Sequence, residues 1–126
     1  IILGLDMKGN KMILTNFLAT LKDGVDERDF EEFVKEEWSR LFNAEGGPKG
    51  MTGQIAKGDR RPAKGHYLGV MYFDSAETRA WYFPVEGEGL SEEGRKEINA
   101  SEFGEAFDKF WDFADAEWRG DGLVIS

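Results

Sequence analysis

Residues 12–22 read MILTNFLATLK, and their apolar positions fall on both sides of an extended chain. Ile13, Phe17, Ala19 and Leu21 share one side; Met12, Leu14 and Leu18 share the other. A strand apolar on both faces is covered on both faces. From Asp26 to Phe42 the rhythm changes to steps of three and four through Phe30, Phe33, Val34, Trp38, Leu41 and Phe42. That spacing predicts a helix with one buried stripe. Asp26 is its expected N-cap, accepting from the amide of Asp29, with further acids at the positive end of the dipole. The stretch NAEGGPKG at 43–50 then ends the helix.

Residues 51–58 (MTGQIAKG) make a weak strand and residues 66–73 (HYLGVMYF) a strong one. Between them lies a charged loop bounded by Gly58 and Gly65 and containing Pro62, the chemistry of a hairpin turn. Ser75 caps a short helix, SAETRAWYF, which Pro84 stops. Residues 85–94 (VEGEGLSEEG) read as a loop with a weak helical turn. Ser101 is expected to cap a second striped helix running to Trp118, with Phe103, Phe107, Phe110, Trp111, Ala114 and Trp118 on one face. Residues 120–122 would then turn the chain into a final strand, LVIS.

The order is β-α-β-β-α-β. It predicts an α+β, ferredoxin-like domain: an antiparallel four-stranded sheet with its helices on one face. Either Leu14, Leu18, Leu68 and Val70 face the helices, or Phe17, Leu21, Met71 and Phe73 do; alternation leaves both open. Whichever set turns away from the helices needs a cover that one short chain cannot supply. A second copy is the economical cover, so a homodimer joined through the open sheet face is expected.

Length and composition narrow the picture. The chain has 126 residues, enough for one domain with its own core. Residues 11–126 form that domain. Residues 1–10 (IILGLDMKGN) fit poorly with the pattern of the domain and read as an N-terminal extension or cloning remnant. The absence of cysteine excludes disulfides, thiolate zinc sites and cysteine nucleophiles, and suits a reducing, cytoplasmic setting. The formal net charge of −9 opposes a role on nucleic acid or an anionic membrane. No apolar run approaches the ~20 residues of a membrane span. His66 is the one histidine, and no Gly-x-Ser-x-Gly elbow exists to partner it. The acidic runs alternate with apolar residues at helical spacing and read as solvated faces; no metal or cofactor is expected.

Four segments carry a resemblance: ILTNFLATL at 13–21, EEWSRLF at 36–42, the run from Gly53 to Pro84, and FDKFWDFA at 107–114. Together they resemble the dimeric α+β barrel families of ferredoxin-like proteins. The resemblance covers residues 11–126 and speaks to fold more than to activity. Many such proteins have no assigned function; others are cofactor-free oxygenases, haem-degrading enzymes or polyketide cyclases. The haem-degrading branch places an Asn on the first strand, a Trp on the third and a His on the next helix. Here Asn16 matches, whereas the third strand offers Tyr67 and Tyr72 and the helix offers Trp81. The cyclase-like branch uses a pocket His and Tyr, parts that His66 with Tyr67 or Tyr72 could fill.

Three functional readings are open. The first is a domain that binds a small apolar or aromatic ligand in the cleft between sheet and helices. Its candidate ligand-binding residues are Asn16, Arg60, Arg61, His66, Tyr72 and Trp81. Arg60 and Arg61 belong to the basic stretch 57–64, which holds four bases against one acid and could clamp a carboxylate or phosphate. The second is a cofactor-free cyclase or monooxygenase with His66 as acid or base beside Tyr67 or Tyr72. The third is a structural or regulatory dimer module without ligand.

Overall fold

A computed structural model describes residues 11–125; the first ten residues and Ser126, and with them the expected N-terminal extension, lie outside the described residues. Strand β1 (Ile13–Leu21) is followed by helix α1 (Glu27–Phe33). A π-helical turn, Val34–Trp38, carries the chain without a break into α2 (Ser39–Asn43). Strands β2 (Met51–Lys57) and β3 (Tyr67–Phe73) form the hairpin. Helices α3 (Ala76–Tyr82), α4 (Glu92–Ala100) and α5 (Gly104–Phe113) lead to β4 (Ala114–Leu123). The four strands lie in the order β2-β3-β1-β4, each pair antiparallel. Strand β1 sits inside the sheet, where the sequence put its two apolar faces.

The structure settles which face meets the helices. Ile13, Phe17 and Ala19 of β1 are buried, as are Tyr67, Met71 and Phe73 of β3. Leu14, Leu18, Val70 and Leu68 lie on the opposite face, with Leu68 47% exposed. The helical layer rests on the first set through an aromatic core. Phe42 stacks on Phe103 at 4.3 Å between centroids, and Phe33 on Phe113 at 4.8 Å. Two glycines permit the close approach. A Cβ at Gly53 would stand 2.6 Å from the Phe42 ring, and one at Gly69 only 2.0 Å from the Phe17 ring.

Local devices follow the sequence with some corrections. Asp26 does cap α1, but its carboxylate accepts from the amide of Arg28 at 2.7 Å rather than from Asp29, whose amide bonds the Asp26 carbonyl. Ser75 caps α3 through the amide of Thr78. Segment 91–100 is a full helix rather than a weak turn. The hydroxyl of Ser91 accepts from the amide of Gly94, and Ile98 anchors the helix in the core.

The largest departure is at the C-terminal end. The last helix stops at Phe113, not Trp118, and β4 begins at once. Ala114 and Trp118 satisfy a helical step of four and a strand alternation of two equally well. Pairing with β1 decides for the strand: Ala114 opposes Leu21, Ala116 opposes Ala19, and Trp118 opposes Phe17. Gly120 is not a turn but part of a bulge. The register shifts there, and its φ of +121° is open to glycine alone at low cost. The expected final strand is therefore only the tail of β4, ending at Leu123.

Candidate functional site

Two hollows flank the sheet, one on each face. The first lies between the sheet and the helices and has a volume of about 490 Å³. The sheet contributes Phe17, Met71 and Trp118 to its wall. Trp38 reaches it from the π-helical turn, and α5 adds Phe107, Phe110 and Trp111. Phe83 and Leu90, at either end of the loop after α3, close one side. Phe17 is the hub of this wall: its ring stands edge-on to Trp118 at 5.2 Å and to Phe110 at 5.9 Å. Polar groups enter only at the rim, from Ser91, Glu92 and Arg95 of the α4 end. Trp111, on the striped face the sequence predicts, is 38% exposed at this opening.

The second hollow, about 450 Å³, lies on the open face of the sheet. Asn16, Leu18, Leu68 and Val70 form its floor. Gln54 and Arg119 border it, and Pro62 and Ala63 of the hairpin loop lean over one end.

The residues nominated from the sequence divide between these faces. Asn16 sits in the open-face hollow, not in the cleft between sheet and helices. Tyr72 is half-buried on the same open face, opposite Leu14 and Thr52. His66 lies just before β3, with Nδ1 2.9 Å from the Thr20 hydroxyl. His66 and Tyr72 stand six residues apart on one strand, about 20 Å, and do not meet. Tyr67 points to the other face, where its buried hydroxyl donates to Glu31 at 2.6 Å. The structure therefore does not assemble His66 with either tyrosine. Arg60 and Arg61 are exposed on the hairpin loop and make no ion pair among the described residues. Trp81 is 46% exposed on α3, edge-on to Tyr82, and lines neither hollow.

Electrostatics mark structural rather than reactive positions. Burial, and then the hydrogen bond to Glu31, push the Tyr67 phenol above its ordinary range. The same bond, helped by Lys57 at 3.0 Å, lowers the Glu31 carboxyl. Burial also raises the phenol of Tyr82, whose hydroxyl donates to the carbonyl of Lys49. Among the described residues no cluster of three or more His, Asp or Glu could hold a metal ion, and no helix is long and apolar enough to cross a membrane.

The striped spacing of the wall aromatics is also what plain core packing produces, so it does not mark a cavity. Phe107, Phe110 and Trp111 lay on the helical stripe, and Trp118 was assigned to the wrong element. Arg95 was not singled out; nothing in its neighbourhood distinguishes it in the chain from any exposed helical arginine.

No family model matches the sequence, and no curated protein matches it. Solved structures do match. SnoaB, a cofactor-independent oxygenase from Streptomyces nogalater, superposes with a TM-score of 0.54 at 9% identity, covering 91% of this chain and 94% of that one. A dimeric protein of unknown function from Bacteroides fragilis gives 0.55 at 10% identity, covering 90% and 96%. At3g17210 from Arabidopsis thaliana gives 0.51 at 20% identity, covering 90% and 96%. The chain has the ferredoxin-like fold. Identities this low carry architecture, and activity is a property of sites rather than of folds.

Proposed function

We propose that this domain binds a small apolar or aromatic ligand in the cavity between its sheet and its helices. The observation that carries the reading is the cavity itself: about 490 Å³, walled by aromatic rings and polar only at its rim. Its size and lining are those of small-molecule sites. A purely structural module would fill this cleft with side chains, and here it stands open. A catalytic role through His66 finds no tyrosine within reach.

Trp38, Trp111 and Trp118 line the cavity, so the protein reports on its own occupancy. A neutral aromatic probe such as N-phenyl-1-naphthylamine should quench tryptophan emission saturably. At a hundredfold excess over Kd it should also stabilise the fold by about 2.7 kcal/mol. The absence of both quenching and a thermal shift would overturn the proposal.

The same proposal includes a homodimer through the open face. Leu14, Leu18, Leu68, Val70 and Tyr72 form an apolar surface that no element covers among the described residues. The ferredoxin-like neighbour from Bacteroides fragilis is dimeric, which supports it. Sedimentation at micromolar concentration should give twice the 14.3 kDa chain mass. Leu18→Lys should yield a soluble monomer and Phe17→Lys an unfolded chain. A monomeric wild type would refute the dimer.

A further inference from the structure

The rim of the sheet–helix cavity holds two charged residues, Glu92 and Arg95, both on α4. They are differently placed. The Glu92 carboxylate is 80% exposed and lies 3.6 Å from Lys96, one turn along the helix. The Arg95 guanidinium lies over the ring of Phe107, 5.3 Å from its centroid, and that ring is part of the cavity wall. One of its amino groups donates to Asp108 of α5 at 2.8 Å. A guanidinium carries five N–H donors in a planar fork. Among the described residues this one makes a single hydrogen bond, so most of its donor capacity is unspent. The stack on Phe107 restrains the plane of the fork, and a restrained arginine loses less freedom on gripping an anion.

We propose, building on the small-ligand reading, that the ligand is a planar aromatic acid whose anionic oxygens are held by Arg95. The ring system lies against Phe107, Trp111 and Trp118, and the anionic group sits at the rim. It takes the place of Asp108, whose bond to Arg95 closes the unliganded fork. Recognition of this kind is bidentate and charge-assisted, which an exposed lysine would not reproduce. Arg95 is a specificity residue here: it separates acids from neutral rings that fill the same space.

Two fluorescent probes share one ring system and differ in one anionic group. They are 8-anilinonaphthalene-1-sulfonate and N-phenyl-1-naphthylamine. The wild-type protein should bind the sulfonate about tenfold more tightly, the worth of one hydrogen-bonded charge. Arg95→Gln should erase that preference and leave the Kd of the neutral probe within about twofold. Arg95→Lys should restore only part of it. Asp108→Asn removes the internal competitor and should tighten the sulfonate alone. Equal affinities in the wild type, or a preference that survives Arg95→Gln, would overturn the assignment while leaving the small-ligand reading intact. Failure of both probes to bind would overturn the two together. Arg95 and Asp108 are exposed, so the melting temperatures of these variants should stay close to wild type.

Discussion

Truncating Phe17 tests the assignment of sheet faces. Phe17 is 3% exposed, packs over Gly69, and holds edge-on contacts to Phe110 and Trp118. Phe17→Ala removes a buried aromatic side chain, a change that costs about 3–5 kcal/mol in well-packed cores. Two edge-on pairs disappear with it, each worth about 0.5–1.5 kcal/mol beyond its area. Against that, one side of the ring already borders the sheet–helix cavity, so part of the void exists before the substitution. A loss near 3 kcal/mol is expected. With a urea m-value of about 2 kcal/mol/M, the unfolding midpoint should fall by about 1.5 M with the slope unchanged. Leu18→Ala is the neighbouring control on the open face. Its loss should be smaller and should depend on protein concentration, because the proposed dimer closes over that face. The Phe17 loss should be the same at every concentration. Equal and concentration-independent losses for the two variants, or a Phe17→Ala loss under about 1 kcal/mol, would refute the face assignment.

Other consequences are as direct. The phenols of Tyr67 and Tyr82 are both raised above their ordinary value of 10.0 in the fold, so the folded state favours the protonated form. The stabilisation is fully present below pH 10 and is lost as pH rises beyond it. Urea midpoints should therefore fall as pH rises above 10.0, with tyrosinate absorbance rising in step with unfolding; a flat profile would contradict the burial of these rings. Asn43 blocks the outer edge of β2: its amide donates to the carbonyl of Gly53 at 2.8 Å and accepts from the same residue's N–H at 3.0 Å. Asn43→Asp keeps the acceptor and loses the donor, and should cost about 1 kcal/mol in chemical denaturation. Asn43→Asp as stable as wild type would count against the edge bond. Gly53→Ala drives a methyl group into Phe42 and Trp38 and should cost about 1–3 kcal/mol by overpacking, read from the thermal midpoint. A neutral Gly53→Ala would mean that the helical rod yields at that point.

Much of the architecture was legible because local rules and the tertiary outcome agree. The steps of three and four from Phe30 to Phe33 and Val34, and on from Val34 to Trp38 and Phe42, bury one stripe of side chains as a helix laid on a sheet. The run of apolar residues on both faces of 13–21 required a central strand, and β1 is one. Ser75 before Ala76, and the charged hairpin between Gly58 and Gly65, carry their chemistry in adjacent residues. What the chain order could not reveal were choices made by contacts distant in sequence. Residues 114–118 fit helix and strand alike until β1 supplied hydrogen-bond partners nearly a hundred positions away. The two apolar sets of β1 and β3 were equivalent until Gly69, lacking a side chain, let Phe17 lie over it on the helical side. The candidate site belongs to the same class. His66, Tyr67 and Tyr72 are close along the chain, but alternation sends Tyr67 to one face and strand length separates the other two. The aromatic cavity, with Arg95 at its rim, instead draws on β1, β3, β4, the π-helical turn, α4 and α5. A cavity is the space that packing leaves between such elements, and that space has no signature in any one of them.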